Sequence, residues 1–209
     1  MVKDQSGIAL IIVLLSVLLV GAMALGLAMT SSVELSVAAA YRDTRAALYA
    51  ADAALEYVLQ DLAREGDWDL VLRGQARAAL VDGPPAGSRN AAGRAIDLTE
   101  IVNKARCGKS TCDAADLVGV TESRPWGPNN PIWQLYAYAP ASAIVPANGT
   151  TWNAYVVVMV ADDPSETDRD PAVDGGGTQN PGAGKLVVRA SAFGASGAVR
   201  TIQATVERA

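Results

Sequence analysis

Between Asp4 and Glu34 this chain carries no charged residue. From Ile8 to Met29 the apolar run is broken only by Ser16, Gly21 and Gly26. As a helix that run is about 33 Å long, enough to cross a bilayer core of about 30 Å. No proline occurs before Pro84, so nothing in the backbone forces the helix to stop at a membrane surface. Past Met29 the pattern changes without a break. Val33, Val37, Ala40, Thr44, Ala47, Leu48, Ala51, Leu55, Val58, Leu59 and Leu62 recur at threes and fours, which is one face of an amphipathic helix. Glu34, Arg42, Asp43, Arg45, Asp52, Glu56 and Asp61 fall off that stripe. The expectation is one helix with two halves: residues 8–29 crossing a membrane, and residues 30–65 with a face that must pack on something.

The rest of the chain has to supply that partner. It is rich in glycine and proline, and the whole sequence holds a single Phe, so a core must come from Val, Leu, Ile, Tyr and Trp. The net charge of −5 argues against nucleic acid as a partner. With no histidine, the chain lacks the commonest general base and the commonest imidazole metal ligand, and no enzymatic activity is expected.

After Pro131 the sequence reads as strands at Ile132–Ala139, Ala154–Ala161, Leu186–Phe193 and Val199–Val206, the last two joined by the hairpin signal Gly194-Ala195-Ser196-Gly197. In the last strand Arg200, Ile202, Ala204 and Val206 share one side, which places Ile202 and Val206 on a buried face. The fold class is therefore α+β: a long N-terminal helix laid on a C-terminal antiparallel sheet of about four strands, residues 132–209. Residues 66–131 form a connecting region. There Glu65-Gly66 should end the first helix, Trp68–Val81 reads as a second, Asp82–Asn90 as a loop, and Ile96–Val102 as either strand or helix. Cys107 and Cys112 are expected to pair if the membrane run exports the head to an oxidising compartment, and to stay free thiols in a reducing one. Closing so short a loop would contribute about 2 kcal/mol.

Lys3 before the apolar run suits a signal-anchor with its amino terminus inside. The rival is a cleaved secretory signal, for which Gly26-Leu27-Ala28 offers small residues at the cut. Gly7 followed by Ile8-Ala9-Leu10-Ile11-Ile12-Val13, and then by a long helix turning amphipathic, resembles the class III leader of type IV pilins and pseudopilins. The segment Thr30–Glu56, with its Ser-Ser, Arg and Ala-Ala-Asp-Ala-Ala-Leu elements, resembles more narrowly the PilX-like minor pilins, Asp52 standing where they usually have Glu. The resemblance covers about the first third of the chain. It implies a pilin-like fold, a leader of residues 1–7 removed after Gly7 by a prepilin peptidase, and N-methylation of the new terminus at Ile8. It implies the inner membrane as the site before assembly and the pilus afterwards. The partners it implies are other minor pilins, the major pilin, the assembly platform and a tip adhesin.

Major pilins usually carry Glu at the fifth mature position, where it is thought to neutralise a neighbour's amino terminus. Here that position is Ile12, which the resemblance associates with the filament tip rather than the repeating shaft. A type II secretion pseudopilin is the near alternative, although the chain is shorter than K-type pseudopilins. A membrane-anchored binding domain that never polymerises is the alternative from another class.

Three further motifs stand out. Asp162, Asp163, Glu166, Asp168, Asp170 and Asp174 crowd a stretch ending in three glycines. Hard oxygen donors in such a loop suit calcium, with Asp162, Asp163, Asp168, Asp170 and Asp174 as candidate ligands; the alternative is a solvated loop. The spacing is not that of an EF-hand, and no other cofactor is expected. Gly108-Lys109-Ser110 resembles the end of a phosphate-binding loop, but Asn103 stands where its first glycine belongs. Asn148-Gly149-Thr150 has the glycosylation pattern and reads rather as a turn. Trp126, Trp133 and Trp152 are expected to pack in a core or turn.

Overall fold

A computed structural model describes residues 6–144, 152–175 and 179–208. The chain divides into two units, Met1–Arg42 and Asp43–Ala209. Helix α1, Ser6–Leu62, runs without interruption through 57 residues.

In the first unit the described side chains of α1 from Ile8 onward are exposed. The large apolar side chains from Ile8 to Met29 are each 58–73% exposed. Ser16, Thr30 and Ser36 turn their hydroxyls back onto the carbonyls of Ile12, Gly26 and Ser32, so these polar side chains are satisfied within the helix. Val33 and Val37, expected on the packing stripe, are 62% exposed, because burial along the helix begins only at Ala47.

In the second unit Ala47, Ala50, Ala51, Ala54, Leu55, Val58 and Leu62 are all buried. The alanines bring the helix backbone close to the sheet; a Cβ on Gly194 would sit 3.3 Å from that of Ala47. The apolar residues at the far end contribute more, about 1.5–3 kcal/mol for a fully buried Leu or Val. Leu48, at the margin of the stripe, stays 39% exposed. The helix stops at Leu62, whose carbonyl accepts from the Glu65 N–H and, at 3.2 Å, from the Trp68 indole.

The sheet has the order β3-β4-β5-β6, all antiparallel, with β3 at Gln134–Pro140, β4 at Ala154–Asp162, β5 at Lys185–Gly194 and β6 at Val199–Glu207. One face, including Tyr136, Val156, Val158, Val160, Leu186, Val188, Ala190 and Ala192, packs with the buried side of α1. The other, including Tyr138, Tyr155, Val157, Met159 and Val187, packs with residues of a hairpin and a helix. These are β1 (Ser88–Ala91), β2 (Arg94–Asp97) and α3 (Leu98–Cys107). With both faces covered, every residue of β4 is buried, which explains its unbroken apolar sequence. On the outer strand β6, Ile202, Ala204 and Val206 are half-buried against the α1-facing core, as their alternation predicted.

The connecting region departs from expectation in three places. The second helix, α2, covers only Trp68–Leu72; Gly74, at φ +67, turns the chain away. Beyond it residues 78–82 pass along the edge of β3. Ala78 and Asp82 donate to the Tyr136 and Tyr138 carbonyls, and Tyr138 donates back to Leu80. That segment covers the sheet edge which β3 would otherwise expose. The loop expected at Asp82–Asn90 runs into the β1–β2 hairpin, whose turn places Ala92 and Gly93 at positive φ. Ile96–Val102 is both strand and helix: β2 ends at Asp97, whose side chain caps α3 by accepting from the Glu100 N–H at 2.9 Å.

Candidate functional site

Two regions carry chemistry that packing alone does not account for: the start of α1, and the loop leaving β4. Gly7, Ile8 and Ile12 all lie in the first turns of α1. Ile12 is 58% exposed, and neither charge nor carboxylate occurs beside it in the sequence from Gln5 to Val33. Among the described residues α1 is the one helix long and apolar enough to cross a membrane.

Cys107 and Cys112 form a disulfide. It closes the turn between the C-terminus of α3 and the short helix α4, Ala114–Val118. Asp113 and Asp116 make a reciprocal cap at the start of α4, and Lys109 pairs with Asp116 across the loop. Gly108 therefore ends α3 in a left-handed conformation, and the Gly-Lys-Ser motif sits at a helix C-terminus instead of opening a helix whose N–H groups face a phosphate.

The acidic loop begins where β4 ends. Asp162 is the last residue of the strand and 4% exposed; Glu166, four residues on, is 2% exposed. Glu166 Oε2 accepts hydrogen bonds of 3.0 Å from the Gly175 N–H and from the Asn180 side chain. The backbone closes around this carboxylate. A Cβ at Gly175 would lie 2.5 Å from Glu166 Oε2 and 2.2 Å from Asp168 Oδ2, and one at Gly182 would lie 2.3 Å from Glu166 Cγ. At Gly182, where the Glu166 backbone nitrogen would also lie 2.8 Å away, a side chain has no room; at Gly175 it would have to displace the carboxylate ends.

Several of the predicted calcium ligands have other work. Asp163 accepts from the Ser165 N–H and hydroxyl, Asp168 Oδ1 from the Asp170 N–H, and Asp170 from the Ala172 N–H. Asp174 Oδ1 accepts from the Gly184 N–H at 2.6 Å, while its own N–H donates to Asp69. These are the bonds by which short acidic side chains shape a loop. Asp162 is different. Its Oδ1 is buried and has no partner, as are Oε1 of Glu166 and Oδ1 of Asn129. Asn129 comes from the Gly127–Asn129 turn and donates through Nδ2 to the Glu166 carbonyl.

Burial pushes the Asp162 carboxyl up to about 8, and the negative charge of Glu166 adds to the effect. Burial likewise pushes Glu166 up to about 7; the bonds from Asn180 and Gly175 oppose the rise and the charge of Asp168 adds to it. Among the described residues no three Asp, Glu, Cys or His side chains are grouped so as to hold a metal by themselves. Sequence reasoning placed Glu166 in the cluster without a role, and nothing in the sequence signalled Asn129, which lies 37 positions away.

Of the three tryptophans expected in a core or turn, Trp133 is buried and Trp152 packs against the core. Trp126 is instead 43% exposed, at the mouth of a cleft of about 400 Å³ shared with Trp133 and Arg189, because the Pro125-Trp126-Gly127-Pro128 turn lies at the surface. The Asn148 sequon lies outside the described residues.

A long apolar N-terminal helix whose later part packs on a four-stranded antiparallel sheet is a pilin-like layout. No protein-family model, curated protein or solved structure matches the chain.

Proposed function

We propose that this chain is a minor pilin of the PilX-like kind, cut after Gly7, methylated at Ile8 and held in the inner membrane until it joins a type IV pilus. The observation that carries this reading is the exposure of α1. Over twenty consecutive residues without a charge present large apolar side chains that stand exposed among the described residues. Such a surface requires lipid or other helices around it. The same helix, without a break, becomes part of the folded core from Ala47 onward. A cleavable secretory signal would have no reason to be continuous with a core helix.

The lack of an acid at Ile12 supports a place at or near the tip. A subunit above would leave its amino terminus unpaired in an apolar bundle, which is costly. Exposed Val33 and Val37 extend the apolar surface toward the head, where neighbouring pilin helices would cover it. The disulfide fits a head that folds outside the cytoplasm. In this role the chain primes assembly with other minor pilins, contacts the major pilin and supports a tip adhesin; it performs no catalysis.

The test is the amount and place of the chain in sheared filaments. A few copies per filament, with filaments lost when the gene is deleted, fit the proposal. Recovery entirely in the membrane, with filaments unaffected by the deletion, overturns it in favour of a non-polymerising anchor.

A further inference from the structure

Four buried side-chain polar atoms among the described residues have no hydrogen-bond partner, and three are oxygens of one neighbourhood: Asp162 Oδ1, Glu166 Oε1 and Asn129 Oδ1. Buried acceptors are normally satisfied, so three together mark a missing donor or cation. Turning the Asn129 amide over does not remove the problem. Its Nδ2 already donates to the Glu166 carbonyl, and a flip would set oxygen against oxygen. Protons on the carboxyls would relieve the repulsion between those two groups, whereas a cation would serve all three oxygens, that of Asn129 included. The Gly175 and Gly182 backbones hold Glu166 in place, with Oε2 engaged and Oε1 turned away from both of its donors.

We infer that Asp162, Glu166 and Asn129 bind one calcium ion. The donors are all hard oxygens, two carboxylates and an amide, a set calcium accepts together with water and carbonyl oxygens at an irregular geometry. Magnesium demands a near-ideal octahedron and is the poorer fit. The ion would neutralise the two buried carboxylates and tie the end of β4 to the Gly127–Asn129 turn. This assignment differs from one drawn on the aspartates alone. Asp163, Asp170 and Asp174 each commit Oδ1 to a loop N–H group, while Asn129 enters from elsewhere in the chain. It is independent of whether the chain polymerises.

The experiment is thermal melting and calorimetric titration of the full chain in detergent, stripped with EGTA and then supplied with calcium chloride or magnesium chloride. Saturating calcium should bind at one ion per chain and raise Tm by about 5 °C or more. Glu166→Gln and Asp162→Asn should each abolish that rise. In EGTA both variants should melt at or above the parent temperature, because each replaces one of two acids buried together by an uncharged isostere. That last result separates a lost ligand from a damaged fold. Asp163→Asn and Asp170→Asn should keep most of the rise. Absence of calorimetric heat and of any shift overturns the assignment. So does an equal shift with magnesium, or a calcium shift that survives in both Glu166→Gln and Asp162→Asn.

Discussion

The hydroxyl of Tyr136 donates a 2.7 Å hydrogen bond to Oδ2 of Asp61, 75 positions earlier in the chain. Tyr136 lies on β3, with its ring in the core beneath α1; Asp61 is one residue from the helix end. The bond ties the last turn of the helix to the edge of the sheet. Replacing Tyr136 by Phe keeps the ring and removes the bond, and should cost about 1–2 kcal/mol. Urea unfolding of the detergent-solubilised chain should show a lower midpoint with an unchanged slope.

The same contact predicts an alkaline signature. Burial raises Tyr136, Tyr138 and Tyr155 above the ordinary tyrosine range, and the bonds from Tyr136 to Asp61 and from Tyr155 to Asp82 raise those two further. Because the folded values exceed the unfolded value of about 10, these groups contribute stability below that pH and withdraw it as pH climbs through their folded values. Of six tyrosines in the chain, these three should ionise late. Absorbance at about 295 nm should rise in two phases, the second coinciding with unfolding. A single phase centred near pH 10, with the fold intact, would contradict this.

Packing of α1 on the sheet depends on small residues at chosen positions. Ala51 is fully buried, and Ala51→Leu should overpack the interface by about 1–3 kcal/mol. Leu62→Ala removes a buried side chain and should cost about 2–4 kcal/mol. Leu48→Ala, at a 39% exposed position, should change stability by less than about 1 kcal/mol. Chemical denaturation of the three variants gives the ranking directly.

The disulfide is local. It spans five positions and joins α3 to its own following turn, where the Asn103 side chain also donates to the Ser110 carbonyl at 2.8 Å. Reduction should therefore lower stability by about 2 kcal/mol and leave the sheet folded. Far-ultraviolet circular dichroism with and without reductant should show the same strand content and a lower melting temperature.

How far the fold was legible follows from which physical signals are local. The charge-free run and the stripe after it gave α1, and alternation in Val199–Val206 gave the half-buried face of β6. The stripe's start was misplaced because periodicity shows which face is apolar and is silent on what covers it. Thus Val33 and Val37 matched the pattern yet stand exposed. Residues 73–81 read as helix by composition, but Gly74 breaks the backbone and the edge of β3 supplies hydrogen bonds to a strand-like segment. Tertiary pairing outweighed local propensity there. In the acidic loop the sequence marked the region, but which oxygens bond the loop's own backbone was not legible in it. Whether an aspartate bonds its own backbone or is left buried without a partner depends on turns such as Asp168-Arg169-Asp170, where Arg169 sits at φ +66. Asn129 reaches Glu166 only through tertiary contact.

The central claim is that α1 passes intact from a membrane into an assembly of like helices, beginning at Ile8. Mass spectrometry of the N-terminal peptide of the chain, isolated from its native membrane, tests this most directly. The account predicts a peptide that starts at Ile8 and carries one N-methyl group. A peptide retaining Met1, or one starting at Met29 with the apolar run removed, would contradict it.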